Sequence, residues 1–109
     1  MAKAGDVVIV DFPGVQGVKR RPAVVVSSEL YHQVRPDVTV AILTSQIASA
    51  ATPTDHVLVD WRAAGLKKPS AYRSFFLSIP RTAMIAVVGQ TSDRDRQAIA
   101  ACVRAAMMA

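Results

Sequence analysis

The sequence predicts a small, mostly antiparallel β-barrel closed by one C-terminal α-helix. Three observations carry that expectation. Short β-branched runs recur along the first ninety or so residues, with glycine, proline and polar residues between them. No helical stretch alternates with these runs, so a parallel βαβ architecture has no support. From Ser92 onward the chain turns alanine-rich and takes on a helical period. At 109 residues it holds one domain around one core.

Asp6–Phe12 (DVVIVDF) reads as the first strand, ended by Pro13-Gly14. Pro13–Arg20, with two glycines, reads as a loop. Ala23–Ser27 forms the second strand, its apolar run implying burial on both faces. Ser28–Pro36 is polar and irregular, with room for one short turn. Val38–Leu43 makes the third strand, Ala48–Pro53 a loose connection, and His56–Asp60 an alternating fourth strand. Trp61–Pro69 contains Gly65 and Pro69, which fits a single helical turn followed by a loop. Ala71–Ile79 is the fifth strand, interrupted at Pro80, and Ile85–Val88 the last, closed by Gly89. In the final helix Ser92 is the N-cap, and Asp93 and Asp95 favour the positive end of the helix dipole. Ile99, Cys102, Val103 and Ala106 then fall at i, i+3, i+4 and i+7, one apolar stripe.

Composition removes several functional classes. Apolar content of 51% and charged content of 19% belong to a globular chain. The longest apolar runs (Val7–Val10, Ala23–Val26, Met84–Val88) are too short to cross a bilayer, and the MAKAGD start lacks a signal-peptide core. A cytoplasmic protein that does not engage membranes is therefore expected. The single cysteine, Cys102, faces the helix stripe, and no Cys/His cluster has metal spacing. No glycine-rich phosphate loop occurs, so neither a metal nor a nucleotide cofactor is expected.

Charge is the more informative quantity. Net charge is +5, but residues 1–60 carry five Lys/Arg against six Asp/Glu, and residues 61–109 carry eight against two. Nine of the thirteen cations are arginine, whose planar fork suits phosphate. Three polar clusters sit at or near strand ends: Lys19-Arg20-Arg21, Thr44-Ser45-Gln46 and Tyr72-Arg73-Ser74. A small barrel brings the ends of separate strands to one rim, so these clusters can converge. His32 and His56 lie in different segments without the neighbours of a nucleophile pair.

The residues that carry these clusters also carry a resemblance. GDVVIVDFPGVQGVKRRPAVVVSS, then AILTSQI, then LKKPSAYRSFFLSIPRTAMIAVVGQTSDRDRQAIAACV resemble, in order, the motifs of PemK/MazF-like toxins. The likeness runs from Gly5 to about Val103. It implies an SH3-like barrel of the CcdB/MazF/PemK type and metal-independent cleavage of single-stranded RNA. It also implies a homodimer and a cognate antitoxin that inserts an acidic segment. The arginine of the family's R-P motif falls on Arg21 and the threonine of its T-S-Q stretch on Thr44, the principal catalytic positions. Arg73 matches an arginine that some members use for catalysis or RNA contact. Those members place an acid two residues later, where this chain has Phe75, so no carboxylate transfers a proton there. Lys19, Arg20, Lys67 and Lys68 are the expected phosphate contacts. Ser45, Gln46 and Tyr72 are further RNA contacts, with Phe75 and Trp61 as additional stacking candidates. His32, His56 and water stay open as acceptors of the 2′ proton. Two other readings of the same barrel are a CcdB-like poison that binds DNA gyrase and an inactive RNA- or protein-binding module.

Overall fold

The computed structural model describes residues 2–14, 17–50 and 52–108, the side chain of Ser49 aside. Six strands run in the order β1 (Asp6–Gly14), β2 (Gly17–Val25), β3 (Asp37–Thr44), β4 (His56–Val57), β5 (Ala71–Pro80) and β6 (Ala86–Gln90). A short helix α1 (Glu29–Val34) precedes β3, and α2 (Asp93–Ala106) closes the described chain. All ladders are antiparallel and form one curled half-barrel sheet in the order β4-β5-β3-β2-β1-β6. The expected β architecture with a C-terminal helix is what the chain adopts.

Alternation along the strands divides the apolar residues between two faces. One face, here the helix face, carries Val7, Val24, Ala41, Leu43 and Tyr72, and is covered by Leu58, Ala64 and the α2 residues Ile99 and Cys102. The other, the far face, carries Val8, Val10, Phe12, Ala23, Val25, Val38, Val40 and Ile79. Most of these side chains are almost wholly buried, and each fully buried Val, Leu, Ile or Phe contributes about 1.5–3 kcal/mol. On α2 the expected stripe holds for Ile99 and Cys102, which are buried, while Ala106 at its end is exposed.

Three local expectations are corrected. The loop expected over Pro13–Arg20 is largely strand: β1 and β2 stay paired out to Gly14 and Gly17, with residues 15 and 16 outside the described set. Residues 17–20 are exposed on both faces, so no burial rhythm marks them as strand. Ser28–Pro36 contains α1, capped by the Ser28 hydroxyl, which accepts the Tyr31 N–H at 3.2 Å. β4 pairs only through His56 and Val57. Beyond it the Leu58 N–H reaches the Ser70 carbonyl at 2.9 Å, and the next two N–H groups turn to the Asp95 carboxylate.

Two further features shape the surface. Between β3 and β5 the register passes from Ala41↔Phe76 to Leu43↔Tyr72, so three residues of β5 oppose Ile42 alone. The turn at 61–65 also lies directly on β6. A β-carbon added to Gly65 (φ +89°) would come within 2.4 Å of the Val88 carbonyl oxygen, and one on Gly89 within 2.3 Å of Ala64's. Only two facing glycines permit that approach. Among the described residues no helix is long and apolar enough to cross a membrane.

Candidate functional site

The β2–β3 ladder ends at Ala23↔Ile42, and two residues further along each strand Arg21 and Thr44 occupy matching positions on the far face. Pro22, paired with Ile9, precedes the buried part of β2, and Arg21 is itself paired with Val10 of β1. Thr44 is anchored from the other side by its pairing with Ala71. Its Oγ1 accepts the Gln46 N–H at 3.1 Å, which leaves the hydroxyl proton available to a ligand. Among the described residues the Arg21 guanidinium has no hydrogen-bond or ion-pair partner.

Arg21 borders a cleft of about 520 Å³ whose walls include Arg20, Ser45, Lys67, Lys68 and Ser70, with Ile9, Pro22, Leu43 and Leu66 as its apolar part. Four cations line it, with no carboxylate among the described residues. Arg20 reaches Asp11 at 3.4 Å, but the two side chains are 66% and 49% exposed, so the pair contributes little. Ser70 donates to the Lys68 carbonyl at 2.8 Å and fixes the bend that carries both lysines. Gly65 and Val88 line the same cleft, so the close glycine contact also sets its far wall.

Arg73 lies in another cleft, of about 480 Å³, with Thr52, Thr54, Asp55, Ser74 and Phe75. Tyr72 and Phe76 pack into the helix-face core, so Arg73 and Phe75 point to the far face, the face of Arg21 and Thr44. Phe75 meets the buried Phe12 edge to face at 5.9 Å, and Phe12 is paired across the hairpin with Lys19. The structure thus gathers Arg20, Arg21, Ser45, Lys67 and Lys68 around one cleft. Arg73 stands in a second, and Lys19 and Gln46 are exposed outside both. Tyr72 must be corrected: it is fully buried, its phenol bonded to Ser74 at 3.1 Å, and burial pushes its pKa up. It offers no ring to a base.

The histidines are also accounted for. His32 is buried with Nε2 2.5 Å from the Ser27 hydroxyl, whose oxygen also accepts the Thr39 N–H at 3.0 Å. Burial, then the charge of Arg81, lowers the His32 pKa. His56 Nε2 lies 2.8 Å from Asp95 Oδ1. Neither histidine lines either cleft.

Sequence reasoning gave Asp95 only a place in the helix's first turn, whereas it is a wholly buried clasp. Its carboxylate accepts the Val59 and Asp60 N–H groups at 2.9 and 2.8 Å as well as bonding His56. Burial alone pushes this carboxyl up, but those donors outweigh it and hold the pKa below the usual range. Next to it Asp60 takes both arms of Arg94 at 2.7 Å and the Ser92 hydroxyl at 2.6 Å, which hold its pKa far down. The available signal was the spacing Ser92-x-x-Asp95, a capping box.

Comparison with known proteins agrees with this fold. A family model of PemK-like, MazF-like toxins of type II toxin–antitoxin systems matches residues 3–107. No curated protein sequence matches the chain. An endoribonuclease solved with its cognate antitoxin from a Mycobacterial species superimposes with a TM-score of 0.77 at 16% identity, over 97% of this chain and 94% of that one. The Mycobacterium tuberculosis toxin MazF-mt6 gives 0.72 at 23% identity over 90% and 91%. A MazE-MazF structure from Deinococcus radiodurans gives 0.66 at 20% identity over 89% and 87%. With nearly its whole length matched by the family model and the half-barrel fold in common, the chain belongs to the PemK/MazF-like toxin family of type II toxin–antitoxin systems.

Proposed function

We propose that this chain is a toxin endoribonuclease that cuts single-stranded RNA using the RNA's own 2′-hydroxyl. The observation that carries the reading is the unpartnered Arg21 at the edge of a cleft with four cations and no acid, with Thr44, like Arg21, two residues beyond the end of the β2–β3 ladder. In the step envisaged, the 2′-oxygen bonds to the adjacent phosphorus and the bond to the 5′-oxygen breaks. A 2′,3′-cyclic phosphate and a 5′-hydroxyl result. Negative charge builds on the non-bridging oxygens, where the Arg21 fork and the free Thr44 proton donate, and Arg73 adds a second cation. No histidine or carboxylate lines the cleft of Arg21, so water takes the 2′ proton and supplies one to the leaving oxygen. Arg20, Lys67 and Lys68 hold flanking phosphates, and Lys19, Ser45 and Gln46 extend the track. DNA lacks the nucleophile and is not cut.

The relatives solved with an antitoxin supply the partner: an acidic segment of a cognate antitoxin, for which an acid-free basic cleft is a fitting receptor. The acting unit in this reading is a cytoplasmic homodimer. The test is incubation of the protein with a long single-stranded RNA in EDTA, with 5′ ends mapped. Site-specific cuts bearing 5′-hydroxyls, lowered roughly 100- to 1,000-fold by Arg21→Ala, are expected. Intact RNA, or intact RNA with inhibited gyrase supercoiling, overturns the reading.

A further inference from the structure

We propose that Phe75 is a stacking platform for one unpaired RNA base, an element of substrate recognition that takes the place of an acid at this position. The proposal deepens the ribonuclease reading and rests on it. Of the three aromatic residues weighed as stacking candidates, Tyr72 is fully buried and Trp61 is half-buried under Arg62, whose guanidinium lies 4.9 Å from its ring. Phe75 is 49% exposed, although it sits in the middle of a ten-residue strand. It is the most exposed ring of the three, on the strand face that also carries Arg73.

Its surroundings say what kind of ligand. The perpendicular contact with the buried Phe12 fixes the ring from within, so little side-chain freedom is lost when a base lies on its open side. Arg73, two residues away on the same face, has no ion-pair or hydrogen-bond partner among the described residues and faces the same cleft. A flat apolar surface next to a free guanidinium matches a nucleotide, whose base stacks while its phosphate meets the cation. The one acid of the cleft, Asp55, already receives the Thr52 hydroxyl at 2.9 Å. Because every base has a π-face, the platform sets affinity and register on the strand, leaving the identity of the cut sequence to other contacts.

The experiment measures binding of a 2′-O-methyl RNA oligonucleotide, which cannot be cut, to wild type, Phe75→Leu and Phe75→Trp, with molar mass recorded for each. Leucine keeps the apolar packing on Phe12 and removes the π-face; tryptophan restores it. A loss of roughly 5- to 100-fold for leucine, with tryptophan near wild type and molar mass unchanged, is expected. Unchanged affinity for Phe75→Leu overturns the platform, as does an affinity loss that accompanies a fall in molar mass, which assigns Phe75 to a contact between copies. If wild type binds this oligonucleotide but leaves ordinary RNA whole, the nuclease reading fails while the platform is still decided by the leucine variant. If wild type does not bind it, both fail.

Discussion

The charges around Asp95 and the charges around Arg21 are the same chemical groups put to opposite uses. At the start of α2 each of them is matched: Asp95 by His56 and two backbone N–H groups, Asp60 by Arg94 and Ser92, Asp93 by Arg96 at 3.0 Å. Arg21, Lys67 and Lys68 line one cleft in which no acid is found among the described residues, and Arg73 stands unpaired in its own. Like charges brought together repel, and an anionic ligand would relieve that repulsion. The saturated network serves the fold, and the acid-free cleft of Arg21 is the receptor proposed above for an anionic strand.

That contrast can be broken most forcefully at Asp95. Asp95→Ala removes a buried carboxylate with all its donors left facing an empty space, and should cost about 3–5 kcal/mol of stability by urea denaturation. A loss under 1 kcal/mol would show the clasp to be dispensable. Arg21→Ala should do the reverse, leaving stability within about 0.5 kcal/mol while cleavage falls as given above. A variant that unfolds instead assigns Arg21 to the fold. Smaller again is the joint change Lys67→Ala, Lys68→Ala. Losing two phosphate contacts should flatten the dependence of log affinity on log salt by about 1.4, at ~0.7 per contact on a single strand. An unchanged slope removes both lysines from the RNA track.

The weakest expected effect is one of pH. His32 is depressed in the folded state, so its contribution is whole above the ordinary histidine value of about 6.5 and is lost as pH falls from there through its folded value. Asp95 and Asp60 are depressed carboxylates, and their contributions are lost only at still lower pH, as each is protonated. Denaturation midpoints from pH 8 to 3 should show a shallow decline below about 6.5 and a steeper one in the carboxylate range. A level line down to pH 5 contradicts the part assigned to His32.

Sequence showed what burial writes into it. Strands β1, β3 and β5 and the helix after Ser92 were legible because apolar periodicity and an N-cap mark them. The distal half of the β1–β2 hairpin was not, since residues exposed on both faces carry no alternation. β4 is shorter than its alternation predicts, because the N–H groups of Leu58–Asp60 are claimed by the Ser70 carbonyl and by the distant Asp95 carboxylate. Of the cations whose clusters sequence suspects of converging, Arg20 and Arg21 share a cleft with Lys67 and Lys68, while Arg73 stands in another and Lys19 in neither. The opposite fates of Tyr72 and Phe75, both aromatic and three residues apart, depend on which face each takes, and the irregular register beside them hides that from local inspection.

That irregularity limits how the region can change over evolution. Where two residues of β3 advance, four of β5 do, so the surplus is an even number. An even surplus returns the chain to the parity it left, which keeps Tyr72 and Phe76 together in the core and Arg73 and Phe75 together outside it. A single-residue insertion or deletion between Arg73 and Phe76 would interchange those roles for everything on one side of it, sending an aromatic core residue to water and its charged or exposed neighbour inward. Length variation in this stretch is therefore confined to steps of two, and relatives that differ here by one residue must repack the core or move the site.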